Sequence, residues 1–161
     1  MFHVQQQCHA RIWIRKLGAI PNGKIEWKTA HMAAIPIGTK REYQTLVTSD
    51  IAITFLGVED ARVLSTPQMI GLMERTCRDA VLPMLDEGYD TVGTHINVAH
   101  LASAPMGSRV TFRAEVIRVN DRRIEFRVEA ATEREKISEG THERTLINVA
   151  KFAAKQAAKR G

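Results

Sequence analysis

Three side chains have types and positions that suit chemistry as well as packing. Glu74 falls within the apolar arc of an otherwise amphipathic stretch, four residues after Ile70, three before Cys77 and seven before Val81. A carboxylate is rarely buried without a partner, because leaving water disfavours its charged form. Glu74 therefore either pairs, with Arg78 four residues on or with an arginine of another element, or is held there as a base. His100 ends an alternating run of Val92, Thr94, Ile96, Val98 and His100. That spacing puts it on the inward face of a strand if no bulge intervenes, as a hydrogen-bonded core histidine or as a base near neutrality. His95 and Asn97 fall on the opposite face, so His95 is the weaker candidate. Thr66 stands just before Pro67 and is expected to cap a helix. A helix N-terminus also offers unpaired N–H groups and positive partial charge, where an oxyanion can rest. Hydroxyl, imidazole and carboxylate together are the parts of an activated nucleophile or an activated water. Gly93, on the strand that carries His100, adds a backbone without Cβ, where an N–H can approach a carbonyl oxygen closely.

These groups meet only if a helix packs on a strand. The chain of 161 residues has room for one domain and a short extension. Thr39–Val47 and Asp50–Leu56 read as two short strands. A helix opens at Thr66, with apolar residues at Met69, Ile70, Met73, Cys77, Ala80, Val81 and Met84, and closes at Asp86-Glu87-Gly88. Strands follow at Asp90–Leu101, Arg109–Val119, Arg122–Thr132 and Lys136–Val149. The second and third of these are joined by a tight turn at Asn120-Asp121. The tail from Lys151 reads as a short polar helix or a frayed end. One long helix against a curved antiparallel sheet is an α+β architecture and the layout of a hotdog fold. Its open sheet edges invite pairing, so a homodimer is expected, open to further assembly into a tetramer.

Composition narrows the classes. Apolar residues make up 44% and charged residues 25%, the balance of an ordinary soluble domain and not of a disordered chain. No apolar run approaches the ~18 residues that cross a bilayer, so no membrane partner is expected. Cys8 and Cys77 cannot build a disulfide framework and suit a reducing compartment, and no secretory signal is recognisable, so a cytoplasmic location is expected. No C-x-x-C or Cys/His ligand spacing occurs, and no metal is expected. The net charge of +5 is unevenly placed: residues 1–35 hold five basic residues and one acid, and the remainder holds 18 and 17. Residues 1–35 read as an extension outside the fold or as the result of a misassigned start with Met32 as the true one, ahead of a third reading as a targeting segment. Residues 36–161 are the domain. The arginines of 109–127 are interleaved with Glu115, Asp121 and Glu125, which suits a solvated face and not a nucleic-acid surface.

The motifs then converge. STPQMIGLMERTC (65–77), TVGTHINVAHLASAPMG (91–107), EVIRVNDRRIEFRVEA (115–130) and EGTHERTLINVAKF (139–152) occur in order. With them the chain resembles the fluoroacetyl-CoA thioesterase family of hotdog proteins from about Leu64 to Phe152. The resemblance implies a hotdog dimer that hydrolyses an acyl-CoA to free acid and CoA. CoA enters as part of the substrate, and no separate cofactor is implied. It puts the family's threonine, glutamate and histidine on Thr66, Glu74 and His100, its carbonyl-side glycine on Gly93, and its channel arginine on Arg144. Arg144, and less directly Arg123, are expected near the CoA phosphates. The fluoroacetate-specific member has an aromatic lid a few residues before the threonine. Here Val58–Leu64 holds no aromatic residue, and the nearest is Phe55, so a broader small-acyl or aromatic acyl-CoA range is expected. Two other readings belong to the same fold: a module that only binds acyl-CoA, and an enoyl-thioester hydratase. The hydratase reading lacks the D-x-N-P-x-H-like segment.

Overall fold

The computed structural model describes residues 35–160. Of the expected extension only Ile35 falls among them, and it is buried in the core. In chain order the elements are β1 (Lys40–Leu46), a 3-10 turn at Glu59–Ala61, α1 (Thr66–Val81) with a 3-10 turn at Leu82–Met84, β2 (Tyr89–His100), β3 (Arg109–Asn120), β4 (Arg123–Ala131), β5 (Lys136–Asn148) and α2 (Val149–Ala157). The five strands form one antiparallel sheet in the order β1-β3-β4-β5-β2. This is the expected α+β hotdog layout, with α1 on one face of a curved sheet.

The apolar stripe of α1 sets its position. Met69, Met73, Cys77, Ala80 and Val81 are buried in one cluster with Val110, Phe112, Ala114, Val116, Ile124, Phe126, Val128 and Ala130. Each large apolar side chain removed from water in this way contributes roughly 1.5–3 kcal/mol. Polar residues on the helix margin are therefore carried to their places by the stripe. On the outer face the arginines form cross-strand ion pairs. Arg113 reaches Glu42 at 2.9 Å and Glu129 at 3.2 Å, and Arg127 reaches Glu115 at 3.2 Å. This is the solvated face that the charge pattern suggests. The β3–β4 hairpin also forms as expected: Asn120 pairs with Arg123, and Asp121 in the turn takes a φ of +50°, which Asp tolerates. Among the described residues no helix is long and apolar enough to cross a membrane.

Two expectations are corrected. Asp50–Leu56 forms no strand and makes only the isolated bridge Ala52↔Leu64. A turn closed by Ile51 N–H on the Thr48 carbonyl precedes that bridge, and a turn at Gly57, with φ +69°, follows it, so no length is left for a ladder. In β2 the alternation is broken by a bulge, with a register shift between Gly93 and His95. Thr91 and Gly93 therefore face α1 on one side of the bulge, and Ile96, Val98 and His100 do so on the other. Val92 and Thr94 lie on the outer face, contrary to the unbroken alternation.

Candidate active site

The start of α1 differs from expectation in a useful way. Ser65, not Thr66, is the cap: its side chain accepts the Gln68 N–H at 3.4 Å, and Pro67 sits in the first turn. Thr66 is the first helical residue, and its hydroxyl is released from capping. Its Oγ1 lies 2.8 Å from Nδ1 of His100, at the far end of β2. A neutral His100 protonated on Nε2 accepts the threonine proton there. The pair is a hydroxyl beside a base at a helix N-terminus, exposed at the sheet edge.

Glu74 lies two turns further along α1. It does not pair with Arg78, because Arg78 is taken by Asp90 in a two-pronged contact: Nε to Oδ1 at 2.9 Å and Nη2 to Oδ2 at 2.6 Å. The Glu74 side chain keeps 42% of its exposure, and its Oε1 approaches Nε2 of His142 at 3.5 Å. Opposite stands Gly93. A Cβ built there would overlap Oε1 of Glu74 and lie 3.0 Å from Cε1 of His142. The carboxylate thus occupies the space that the missing Cβ leaves, and this is where the glycine is required.

Beneath this carboxylate, β5 presents polar residues to the helix. Ser138, His142 and Arg144 alternate on its buried face. Nε of Arg144 donates to Thr91 Oγ1 at 2.9 Å and Nη2 to the Thr91 carbonyl at 2.7 Å. Nη1 donates to the Glu74 carbonyl at 3.2 Å and lies 3.3 Å from His142 Nε2. Arg144 is therefore a buried brace between α1, β2 and β5. The expected contact with CoA phosphates is corrected: its nitrogens are turned inward. Arg123 is exposed, 3.9 Å from Glu143. His142 is the site-lining residue that spacing did not single out. The signal was present in its alternation with Arg144 on a strand whose inner face is unusually polar.

Of the predicted residues, one chain brings Thr66 to His100, and Glu74 to Gly93 and Arg144, as two clusters. Glu74 lies eight positions after Thr66 on the helix, about 12 Å along the axis. Gly93 and His100 are about 20 Å apart along β2. Cys77 is no competing nucleophile: burial, the largest effect, pushes its thiol up to about 12, so it stays protonated. Among the described residues no group of three or more His, Cys, Asp or Glu side chains is gathered as metal ligands.

Residues 46–150 match the family model described as fluoroacetyl-CoA-specific thioesterase. The chain belongs to this family. It is accordingly a thioester hydrolase. The fluoroacetyl-CoA thioesterase of Streptantibioticus cattleyicolor is 43% identical over 97 residues, 60% of this chain and 70% of that one. The solved structure of the fluoroacetyl-CoA thioesterase FlK is 35% identical with a TM-score of 0.71, covering 78% of this chain and 97% of that one. A thioesterase superfamily member from Thermus thermophilus is 33% identical with a TM-score of 0.72, covering 80% and 97%. The matched span contains Thr66, Glu74, Gly93, His100, His142 and Arg144.

Proposed function

We propose that this enzyme hydrolyses small acyl-CoA thioesters at a site shared between two copies of the chain, with Thr66 and His100 from one and Glu74 and Gly93 from the other. The observation that carries this reading is the separation of the two clusters along β2, a strand of 12 residues at the sheet edge whose only partner among the described residues is β5. An exposed edge of that length invites pairing. Two copies of β2 joined about a two-fold axis run antiparallel, so residue numbers that face each other have a constant sum up to the bulge, where it shifts by one. With the axis at Asn97, Ile96 of one copy faces Val98 of the other, and past the extra residue of the bulge Gly93 faces His100. The same step carries Glu74 beside the Thr66–His100 pair of the partner.

The chemistry follows from the groups. The acyl carbonyl lies by the N-terminus of α1, its oxygen toward backbone N–H groups, that of Gly93 among them. His100 takes a proton from the attacking oxygen, which is the Thr66 hydroxyl or a water beside it. The oxygen–carbon bond forms, the carbon–sulfur bond breaks, and CoA leaves as thiolate, a good leaving group that needs no strong acid. Glu74 orients or deprotonates a water, which either displaces CoA directly or attacks the Thr66 ester, frees the acid and restores the hydroxyl. The acyl group is not confined to fluoroacetyl, since the stretch before Thr66 carries no aromatic lid and Phe55 points outward, 80% exposed.

Mixing two inactive variants tests the shared site. Glu74→Gln and His100→Ala homodimers are each expected to lose about 10²–10⁴-fold in kcat. After subunit exchange, half of the dimers are mixed and each holds one intact site, so about a quarter of wild-type CoA release returns. No recovery, with exchange verified, refutes the shared site. A panel of acyl-CoAs, read by thiol release, identifies the acyl range. Binding without release across the panel would favour the binding-module reading.

A further inference from the structure

His142 is buried, and in its neutral form carries a single ring proton; both of its partners dictate where that proton sits. Nδ1 lies 2.7 Å from the His95 carbonyl oxygen, which only accepts, so the proton is on Nδ1. Nε2 lies 3.3 Å from Nη1 of Arg144, which only donates, so Nε2 is a bare lone pair. Burial, the largest effect, pushes this imidazole below its ordinary 6.5 and keeps it neutral. The hydrogen bond to the His95 carbonyl opposes that, the Arg144 cation adds to it, and Glu74 and Glu143 oppose it. Those are the groups facing the ring from α1, β2 and β5.

Two consequences reach Glu74. Its Oε1, 3.5 Å from Nε2, faces a lone pair and receives no proton from it. Arg144, engaged by Nε2, gives its Nη1 to the Glu74 carbonyl and not to the carboxylate. A hydrogen bond or a full ion pair to the carboxylate would favour its charged form and weaken it as a base. At the other end of the ring, His95 is the residue where the β2 register resumes after the bulge that presents Gly93 to Glu74.

We propose that His142 is a positioning residue for the reaction: its Nδ1–H fixes the bulge that sets Gly93 against Glu74, and its bare Nε2 turns Arg144 away from the Glu74 carboxylate. This rests on the role given to Glu74 above. Long-range proton–nitrogen NMR of the histidine-labelled protein at pH 7 tests the tautomer without reference to activity. The expected result is His142 neutral with its proton on Nδ1; an Nε2–H tautomer or an imidazolium overturns the proposal. Three variants test the consequence. His142→Asn keeps a donor for the His95 carbonyl but offers no acceptor to Arg144, and His142→Gln keeps an oxygen that reaches Arg144. His142→Leu keeps neither. A displacement of Glu74 of about 1 Å costs about 10²-fold. A loss of that order is expected in kcat for Asn, which frees Arg144, and for Gln, which frees the bulge, with KM nearly unchanged, and a larger one for Leu. Should Leu fail to fold, Asn and Gln decide. Wild-type kcat in a folded Asn or Gln variant overturns the proposal. Absence of thiol release in the unsubstituted enzyme would instead count against the hydrolase reading, and the tautomer result would still stand.

Discussion

Gly93→Ala separates activity from stability at a single position. The added Cβ would overlap Oε1 of Glu74 and sit 3.0 Å from Cε1 of His142. The carboxylate is the far end of a flexible, partly exposed side chain, so it gives way, while the buried ring does not. A shift of about 1 Å is enough to relieve the overlap, and misplacement on that scale costs about 10²-fold in rate. Expressed as a barrier, that is about 2.7 kcal/mol. Folding feels much less. The backbone φ at Gly93 is outside the left-handed region, and replacing glycine there restricts the unfolded chain by roughly 0.4–1 kcal/mol in favour of the fold, offsetting part of the clash. The expected outcome is a kcat lowered about 10²-fold with a Tm within about 8 °C of wild type. The assay is CoA thiol release under saturating substrate, paired with a thermal melt. A wild-type kcat in a folded Gly93→Ala would refute the placement of Glu74 in the chemistry. An unfolded variant would refute the claim that the carboxylate is free to move.

Further outcomes follow from neighbouring contacts. Gly140→Ala should do the opposite of Gly93→Ala, because its Cβ meets backbone, overlapping the Asn97 carbonyl and lying 2.7 Å from Val98 Cα. It should lower Tm sharply by forcing β2 from β5, and an unchanged melt would show that the register there is looser than described. Asp90→Asn should cost about 1 kcal/mol at neutral pH, since the Arg78 fork is partly exposed. The Arg78 hydrogen bond, the largest effect, holds the Asp90 carboxyl below its ordinary 3.8. The stabilisation is therefore complete above that value and fades as pH falls below it. Urea melts of variant and wild type should differ at pH 7 and converge as the pH falls below 3.8; a gap that persists in acid would assign the effect to packing. Cys77, buried with its thiol pushed up to about 12, should react with thiol reagents only after denaturation. Rapid labelling of Cys77 in the native enzyme, mapped by mass spectrometry, would show that the core opens there.

The amino-acid order by itself determined the elements that repeat a period. The spacing of Met69, Met73, Cys77, Ala80 and Val81 defines α1, and the alternations through Phe112 and Phe126 define β3 and β4, because burial of a regular face leaves little choice of structure. Spacing marked Glu74 and His100 as oddly placed, and the resemblance to the thioesterase family joined Thr66, Gly93 and Arg144 to them as a set. Tertiary structure decided what those residues touch. Ser65 rather than Thr66 caps the helix, and so frees the hydroxyl for His100, a choice made by local backbone geometry that two adjacent hydroxyl residues do not distinguish. The β2 bulge reverses the inward face between Thr91 and Ile96, since one extra residue on an edge strand costs little and leaves no mark on composition. Besides their contact with each other, the inward turn of Arg144 and the single proton of His142 depend on partners 47 to 70 residues away in the chain. Contacts of that range are set by the packing of the helix on the sheet, which no local pattern encodes.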